Sequence, residues 1–292
     1  MILVAGSANV DFVVRANHIP RPGETVLGQS FQTFAGGKGA NQAVACCKAG
    51  GASTQLLAAL GADAHASVIE TSVNAAAVEL LPVRVAKVST GAAFICVSDD
   101  GENAITVAPG ANAYLLPQHL PDLKEISHLL LQLETPLDTI IAFVQAAKKQ
   151  GAQIVLNAAP AQDLPGELLR LVDILIVNEG ELMALANETR SVEWALEKLP
   201  CQSIVVTLGS KGCLARHKGT LYEQAAFPIQ AIDTTAAGDT FCGVLVAQLS
   251  QGASWPTALR VANAASALTC LTLGAQSSIP TALEVAQFLE NH

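Results

Sequence analysis

Charge is scarce in this chain: 14% of its 292 residues are Asp, Glu, Lys or Arg, and acids outnumber bases 25 to 16, a net charge of -9. A surface of that sign repels phosphodiester backbones and anionic lipid. It excludes nucleic acid and membrane surfaces as partners, and any anionic substrate must be met by local groups. Cysteine occurs seven times, an odd number with no CxxC pair and no His/Cys zinc spacing. That excludes a disulfide framework and a zinc site, so reduced thiols are expected, with Cys46 and Cys47 as small helix residues packed inside. No basic segment precedes the first apolar residues and Asp11 comes early, so no signal peptide is expected and the expected location is cytoplasmic. The uncharged stretch 261–283 is broken by Asn263, Ser266, Thr269, Gly274, Gln276 and Pro280. It reads as a buried helix followed by a loop, not a membrane span. Linkers, fixed-period repeats and low-complexity tracts are absent too, which favours one domain over residues 1–292.

What is present is an alternation of Val/Ile/Leu runs with helical patterns. Residues 2–5, 55–60, 129–133, 154–156, 174–177 and 204–208 read as buried parallel strands. Segments 37–50, 136–151 and 192–199 read as helices, with Gly50 and Gly151 at the expected C-terminal caps. The expected fold class is α/β, an open, mostly parallel sheet with helices on both faces. Ligands of such sheets gather beyond the carboxyl ends of the strands, where Asn9, Glu134, Asn157 and Asn178 fall. Segments 12–34 and 92–108 break the pattern as strand pairs around turns, the second turn marked by Asp99, Asp100 and Gly101. With no helix to cover them, they are expected to form a small separate sheet.

The densest chemical signal is DTTAAGDTFCG, residues 233–243. Ala236, Ala237 and Gly238 hold no bulk between backbone and ligand, and an apolar helical pattern (Phe241, Val244, Leu245, Leu249) begins directly after them. Free N–H groups and the positive end of a helix dipole at that point suit a phosphate. Asp239 in the first turn stands where it can take a proton from an attacking hydroxyl. An acidic residue that merely favours a helix N-terminus has the same sequence appearance.

The N-terminal third adds AGSANVD, PGETVLG and GGKGAN (residues 36–41). GGKGAN fits neither GxxxxGK[ST] nor GxGxxG, and its glycines suit close backbone approach to a polar ligand; the alternative is a helix-entry turn with Lys38 solvated. With DTTAAGD, and with STG at 89–91, PGANA at 109–113, QLE ending at Glu134, NEGE at 178–181, TLGSKG at 207–212 and GAQSSIP at 274–280, these motifs resemble, in order along the whole chain, the ribokinase-like (pfkB) family of ATP-dependent carbohydrate kinases.

The resemblance implies a ribokinase-like fold whose small sheet is a lid over the sugar and a homodimer surface. It implies ATP-dependent phosphorylation of the primary hydroxyl of a pentose, D-ribose to ribose 5-phosphate foremost, with another sugar or a nucleoside as the alternative. It assigns Asn9, Asp11, Gly37, Lys38, Gly39, Asn41, Glu134 and Asp239 to the sugar, with Asp239 the catalytic base. Asn178, Thr207, Gly209, Gly212, Ala237, Gly238 and Asn263 fall to ATP, and Ala236, Ala237 and Gly238 form the anion hole. Mg²⁺ is implied near Asn178 and Glu181, held indirectly by Glu181. A potassium site is implied at Asp233, Thr235, Thr269, Thr272, Gly274 and Ser278, mostly through backbone carbonyls. On residue types alone, Asp11 as a turn residue, Glu134 as a strand-end carboxylate and Asp233 as an acceptor of local N–H groups stay open, and no base-stacking aromatic motif is visible.

Three departures from the family pattern stand out: AAGD in place of the usual GAGD, GADAHA with Ala66 in place of a final glycine, and Val177 in place of a proline before NEGE. Two rival functions meet the same residues. A dinucleotide oxidoreductase requires a glycine-rich fingerprint after the first strand, where this chain has AGSANVD. A non-catalytic sugar sensor can dispense with Asp239 and the small-residue loop, both of which are kept.

Overall fold

A computed structural model describes all 292 residues. In chain order the strands and helices are β1 (Ile2–Ala5), β2 (Asn9–Ala16), β3 (Ser30–Gly36), α1 (Lys38–Val44), β4 (Thr54–Gly61), α2 (Ala64–Ala75), β5 (Glu79–Val85), β6 (Gly91–Ser98) and β7 (Asn103–Ala108). They continue as β8 (His128–Leu131), α3 (Leu137–Lys149), β9 (Gln153–Asn157), α4 (Gly166–Leu171), β10 (Ile174–Asn178), α5 (Glu179–Ala186) and α6 (Val192–Lys198). The last are β11 (Ser203–Thr207), β12 (Cys213–His217), β13 (Thr220–Gln224), α7 (Ala237–Ser250), α8 (Trp255–Thr269) and α9 (Ala282–Glu290).

Nine strands form one sheet in the order β13-β12-β11-β10-β9-β8-β1-β4-β5, parallel from β11 to β5. The six apolar runs read from sequence are its central strands. Because helices cover both faces, successive residues enter different cores: Ile2 and Val4 pack with α1, α7 and α8, whereas Leu3 and Ala5 pack with α3 to α6. Burial on both faces explains why these strands read as continuous apolar runs. At the edges that logic fails. β5 mixes exposed and half-buried residues and has none that is fully buried. The antiparallel hairpin β12–β13 turns on Lys218 and Gly219, both at positive φ.

Segments 12–34 and 92–108 join into a second sheet, β3-β2-β6-β7, in which β2 and β6 pair in parallel and the outer strands antiparallel. Strand β2 starts at Asn9, three residues before the expected segment, which places Asn9 and Asp11 on this sheet.

Helix α1 departs from expectation at its end. It continues as a π-helical stretch, Ala45–Ala49, and Gly50 stays right-handed at φ -89; Gly51 takes the left-handed turn at φ +67. Gly50 is small for another reason, since a Cβ there would meet Cβ of Ala247 at 2.3 Å. After α3, Gly151 is left-handed at φ +82, as a C-terminal cap requires. Asp63 caps α2 by accepting the N–H of Ala66 at 3.1 Å, so the missing glycine at 66 leaves the helix start intact. No helix is long and apolar enough to cross a membrane.

Candidate active site

The second sheet faces the start of α7 across a cavity of about 540 Å³. Asn9 and Asp11 reach it from β2, Gly37, Lys38 and Asn41 from the start of α1, Glu134 from the segment after β8, and Asp239 from the first turn of α7. A smaller cavity of about 230 Å³ lies beyond the ends of β9, β10 and β11, lined by Asn178, Glu181, Thr207 and Gly238. Lys38, Thr234, Ala236 and Asp239 line both. The carboxylate of Asp239 therefore stands where the two spaces meet.

Local contacts fix each side chain. Asn112 Nδ2 donates to Asn9 Oδ1 at 2.7 Å, and Asn112 Oδ1 accepts the Ala8 N–H at 3.0 Å, which locks Asn9 over the cavity. Ser7 Oγ donates to Glu134 Oε2 at 2.5 Å, and that oxygen also accepts the Lys38 N–H at 3.3 Å. Asn41 Nδ2 donates to Asp239 Oδ2 and Gln42 Nε2 to Asp239 Oδ1, each at 2.9 Å. Asn41 Oδ1 is buried without a partner, an acceptor left for a hydroxyl. Burial, with Glu134 and Asp239 nearby, pushes the Asp11 carboxyl up to about 7. The ammonium of Lys38 is held protonated above its ordinary range, chiefly by Asp239 and further by Glu134 and Glu181; it is not a solvated surface lysine.

The start of α7 has the geometry of an anion site. Ala236 adopts φ +60, ψ 5, and α7 begins at the next residue. The N–H groups of Ala236, Gly238 and Asp239 make no bond within the protein, and above Gly238 there is open space. The Ala237 N–H is different: it donates to Thr234 O at 3.2 Å, so Ala237 shapes the turn and is not a free donor.

Several expected positions lie elsewhere. Gly39 lies behind the cavity wall, and a Cβ on it would meet backbone atoms of Gly6 and Ser7 at 2.6 to 2.7 Å. Gly37, at φ +90, lines the cavity, yet its missing Cβ makes room for the backbone of Ala8 and Asn9. These glycines serve an approach of chain to chain. Gly212 closes the turn before β12, where a Cβ would strike Gln224 O at 2.0 Å, while Gly209 has open space at its Cβ position. Neither lines the smaller cavity, nor does Asn263, which is buried on α8 and donates to Leu259 O and Cys213 Sγ, each at 3.1 Å. Asn178 caps α5 in a reciprocal pair: its Oδ1 accepts the Glu181 N–H and its own N–H donates to Glu181 Oε2. Burial raises the Glu181 carboxyl, and the Asn178 N–H and Lys38 oppose that rise.

Asp233 joins two loops. Its Oδ1 accepts the Thr235 N–H at 2.9 Å and its Oδ2 the Gly274 N–H at 3.0 Å, and no basic side chain pairs with it. Ser278 Oγ donates toward Gly274 O and Ala275 O. Thr269 is buried against Thr240 at 3.1 Å, while Thr272 is exposed one turn further on. Sequence reading gave no role to Ser7, Gln42 and Asn112. All three lie inside or directly after quoted motifs, Ser7 within AGSANVD, Gln42 after GGKGAN and Asn112 within PGANA, and that adjacency was the available signal.

Comparison with known proteins is consistent along the whole length. The pfkB family carbohydrate kinase profile matches residues 1–282. A ribokinase of Haemophilus influenzae is 41% identical over 305 residues, covering 99% of this chain and 98% of the relative. The crystal structure of a Thermotoga maritima ribokinase superposes with a TM-score of 0.91 at 38% identity, covering 99% of both chains. An Arabidopsis thaliana ribokinase complexed with ribose and ATP superposes at 0.90 with 35% identity, covering 99% of this chain and 98% of that one. A family match over nearly every residue, in a fold with this pair of cavities, establishes that the chain belongs to the pfkB family of carbohydrate kinases.

Proposed function

We propose that the protein transfers the γ-phosphoryl group of ATP to the primary hydroxyl of D-ribose, giving ribose 5-phosphate and ADP. The observation that carries this reading is the position of Asp239 at the junction of the two cavities, one ringed by hydroxyl-binding carboxylates and amides, the other reaching the free N–H groups of Ala236 and Gly238. The resemblance to a relative complexed with ribose and ATP supports the choice of both substrates. The sugar lies under the second sheet, which acts as the lid, with Asn9, Asp11, Asn41 and Glu134 bonded to its hydroxyls. Asp239 takes the hydroxyl proton as the oxygen attacks, and the N–H groups at the start of α7, with Lys38, hold the charge on the transferring group.

No group of three acidic, His or Cys side chains is arranged to hold a metal ion. A Mg²⁺ ion would therefore be held mainly by phosphate oxygens and water, with Glu181 as the nearby carboxylate, and would supply charge neutralisation on the phosphates. A potassium ion would be held beside Asp233, whose charge has no basic partner. The enzyme works in the cytoplasm as a homodimer. A coupled ADP-release screen over pentoses, 2-deoxyribose, hexoses and nucleosides tests the substrate: ribose should have the highest kcat/KM, and a higher value for any other acceptor overturns the choice of sugar.

A further inference from the structure

Behind Asp239 lies a second layer of amides, in which Gln42 and Gln132 line neither cavity and Asn157 borders the smaller one. Gln42 is fully buried. Its Nε2 donates to Asp239 Oδ1 and to Asn157 Oδ1, each at 2.9 Å, and its Oε1 accepts from Gln132 Nε2 at 2.6 Å. Asn157 Nδ2 in turn donates to the backbone carbonyl of Ile176 at 3.1 Å.

This chain has a direction. A backbone carbonyl only accepts, so Asn157 must present its nitrogen to Ile176 and its oxygen to Gln42. Gln42 must then present its nitrogen to Asn157, and the same nitrogen carries the second hydrogen that meets Asp239. Gln132 enforces the same orientation from the other side by donating to the Gln42 oxygen. An amide flip at Gln42 sets oxygen against oxygen at Asn157 and at Asp239, and nitrogen against nitrogen at Gln132. Glycine at position 6 is part of the arrangement, because a Cβ there would fall 1.9 Å from Gln132 Oε1.

We infer that Gln42 is a positioning residue for proton transfer: anchored through Asn157 to the sheet, it holds an N–H on Asp239 Oδ1 and so fixes the plane of the carboxylate and keeps it an acceptor. With Asn41 donating to Oδ2, both carboxylate oxygens are pinned from α1. The inference rests on the reading of Asp239 as the proton acceptor. It adds that the carboxylate is aimed by a residue with no contact to sugar or nucleotide.

The test is a double-mutant cycle between position 42 and position 239, with Gln42→Met and Gln42→Glu made in the parent and in Asp239→Asn. Each Gln42 substitution in the parent should lower kcat by roughly 10- to 100-fold, the scale of a misaligned reacting group, with KM for ribose and ATP within about twofold. In the Asp239→Asn background the same substitution should change kcat by less than about twofold, because the group it aims has lost its function. Equal factors in both backgrounds, or a kcat within about twofold of the parent in a folded variant, overturn the inference and leave Gln42 as core packing. If Asp239→Asn alone keeps full turnover, the proposed base fails instead, and the two failures are told apart. Should both Gln42 variants fail to fold, Gln132→Met is the second probe: it lies outside both cavities and releases the Gln42 carbonyl. It should cost kcat several-fold without moving either KM, and an unchanged kcat in that folded variant overturns the inference.

Discussion

The carboxylate of Asp233 accepts the backbone N–H of Gly274 at 3.0 Å, tying the loop before α7 to a loop 41 residues later in the chain. Its other oxygen holds Thr235, the residue directly before the left-handed turn at Ala236. In the proposed function, a cation placed beside Asp233 would therefore act on the loop that carries the free N–H groups of Ala236 and Gly238, without touching the nucleotide. Turnover should be higher in potassium than in sodium at fixed ionic strength, and Asp233→Ala should erase the difference. Equal rates in potassium, sodium and a large organic cation would speak against the site.

Replacing Asp239 by asparagine keeps size and helix position but removes the proton acceptor. Turnover should fall by roughly 10² to 10⁴, with much smaller changes in substrate affinity. A carboxylate that only favours the helix start is worth about 0.3–1 kcal/mol of stability and nothing in rate. Steady-state kinetics on the folded variant separates the two, and a kcat within about tenfold of the parent removes Asp239 as the base.

Asp11 gives a pH signature. With its carboxyl pushed up to about 7 by burial and by Glu134 and Asp239, it is ionised above that pH and, in the proposed function, would then accept from sugar hydroxyls. Below it, the added proton takes away an acceptor position. The KM for ribose should therefore rise as pH falls through about 7. Stability runs the other way. The folded chain takes up a proton near 7 that the unfolded chain takes up only near its ordinary value of 3.8, so this group makes folding more favourable as pH falls between those values and contributes no slope above them. Asp11→Asn should flatten both profiles. A parent KM independent of pH across neutrality would contradict the assignment.

Ala236 at φ +60 carries a methyl group where glycine is free of strain. Ala236→Gly should relieve about 1 kcal/mol and raise the Tm by roughly 1–4 °C in calorimetry, with kcat unchanged within about twofold. A lowered Tm would mean that the unfolded-state cost of glycine dominates at this position.

On the outer face of the second sheet, Phe31 and Phe94 are exposed and both stack on Phe12. The outer strands β3 and β7 have open edges. If this sheet is the dimer surface, light scattering at micromolar concentration should give twice the chain mass, and Phe94→Glu should give the monomer. A parent that scatters as a monomer rules the interface out.

The central sheet was legible because strands buried on both faces leave continuous apolar runs; β5 and the β12–β13 hairpin were not, because edge strands carry mixed residues. Of the cavity residues, Asp239 stood out by chemical type beside Ala236, Ala237 and Gly238, whereas residue type alone left Asp11 open as a turn residue and Lys38 as a solvated side chain, and the family resemblance assigned both. Ser7 and Gln42 did not stand out, since their partners Glu134 and Asp239 lie 127 and 197 positions away in the chain. The glycines of GGKGAN were visible as glycines, but their neighbours were not: Gly39 faces the backbone of Gly6 and Ser7 rather than a ligand.

The division of the apolar interior into two cores has a consequence for how the protein can diverge. Helices α1 and α7, which carry Lys38, Asn41, Gln42 and Asp239, belong to one core, while α3 to α6 belong to the other, across the sheet. Substitutions accumulating around Phe143 or Leu168 draw down the tolerance of a compartment remote from the acceptor pocket. Sugar preference and thermal robustness can therefore drift on separate sets of positions, with the sheet as the partition between them.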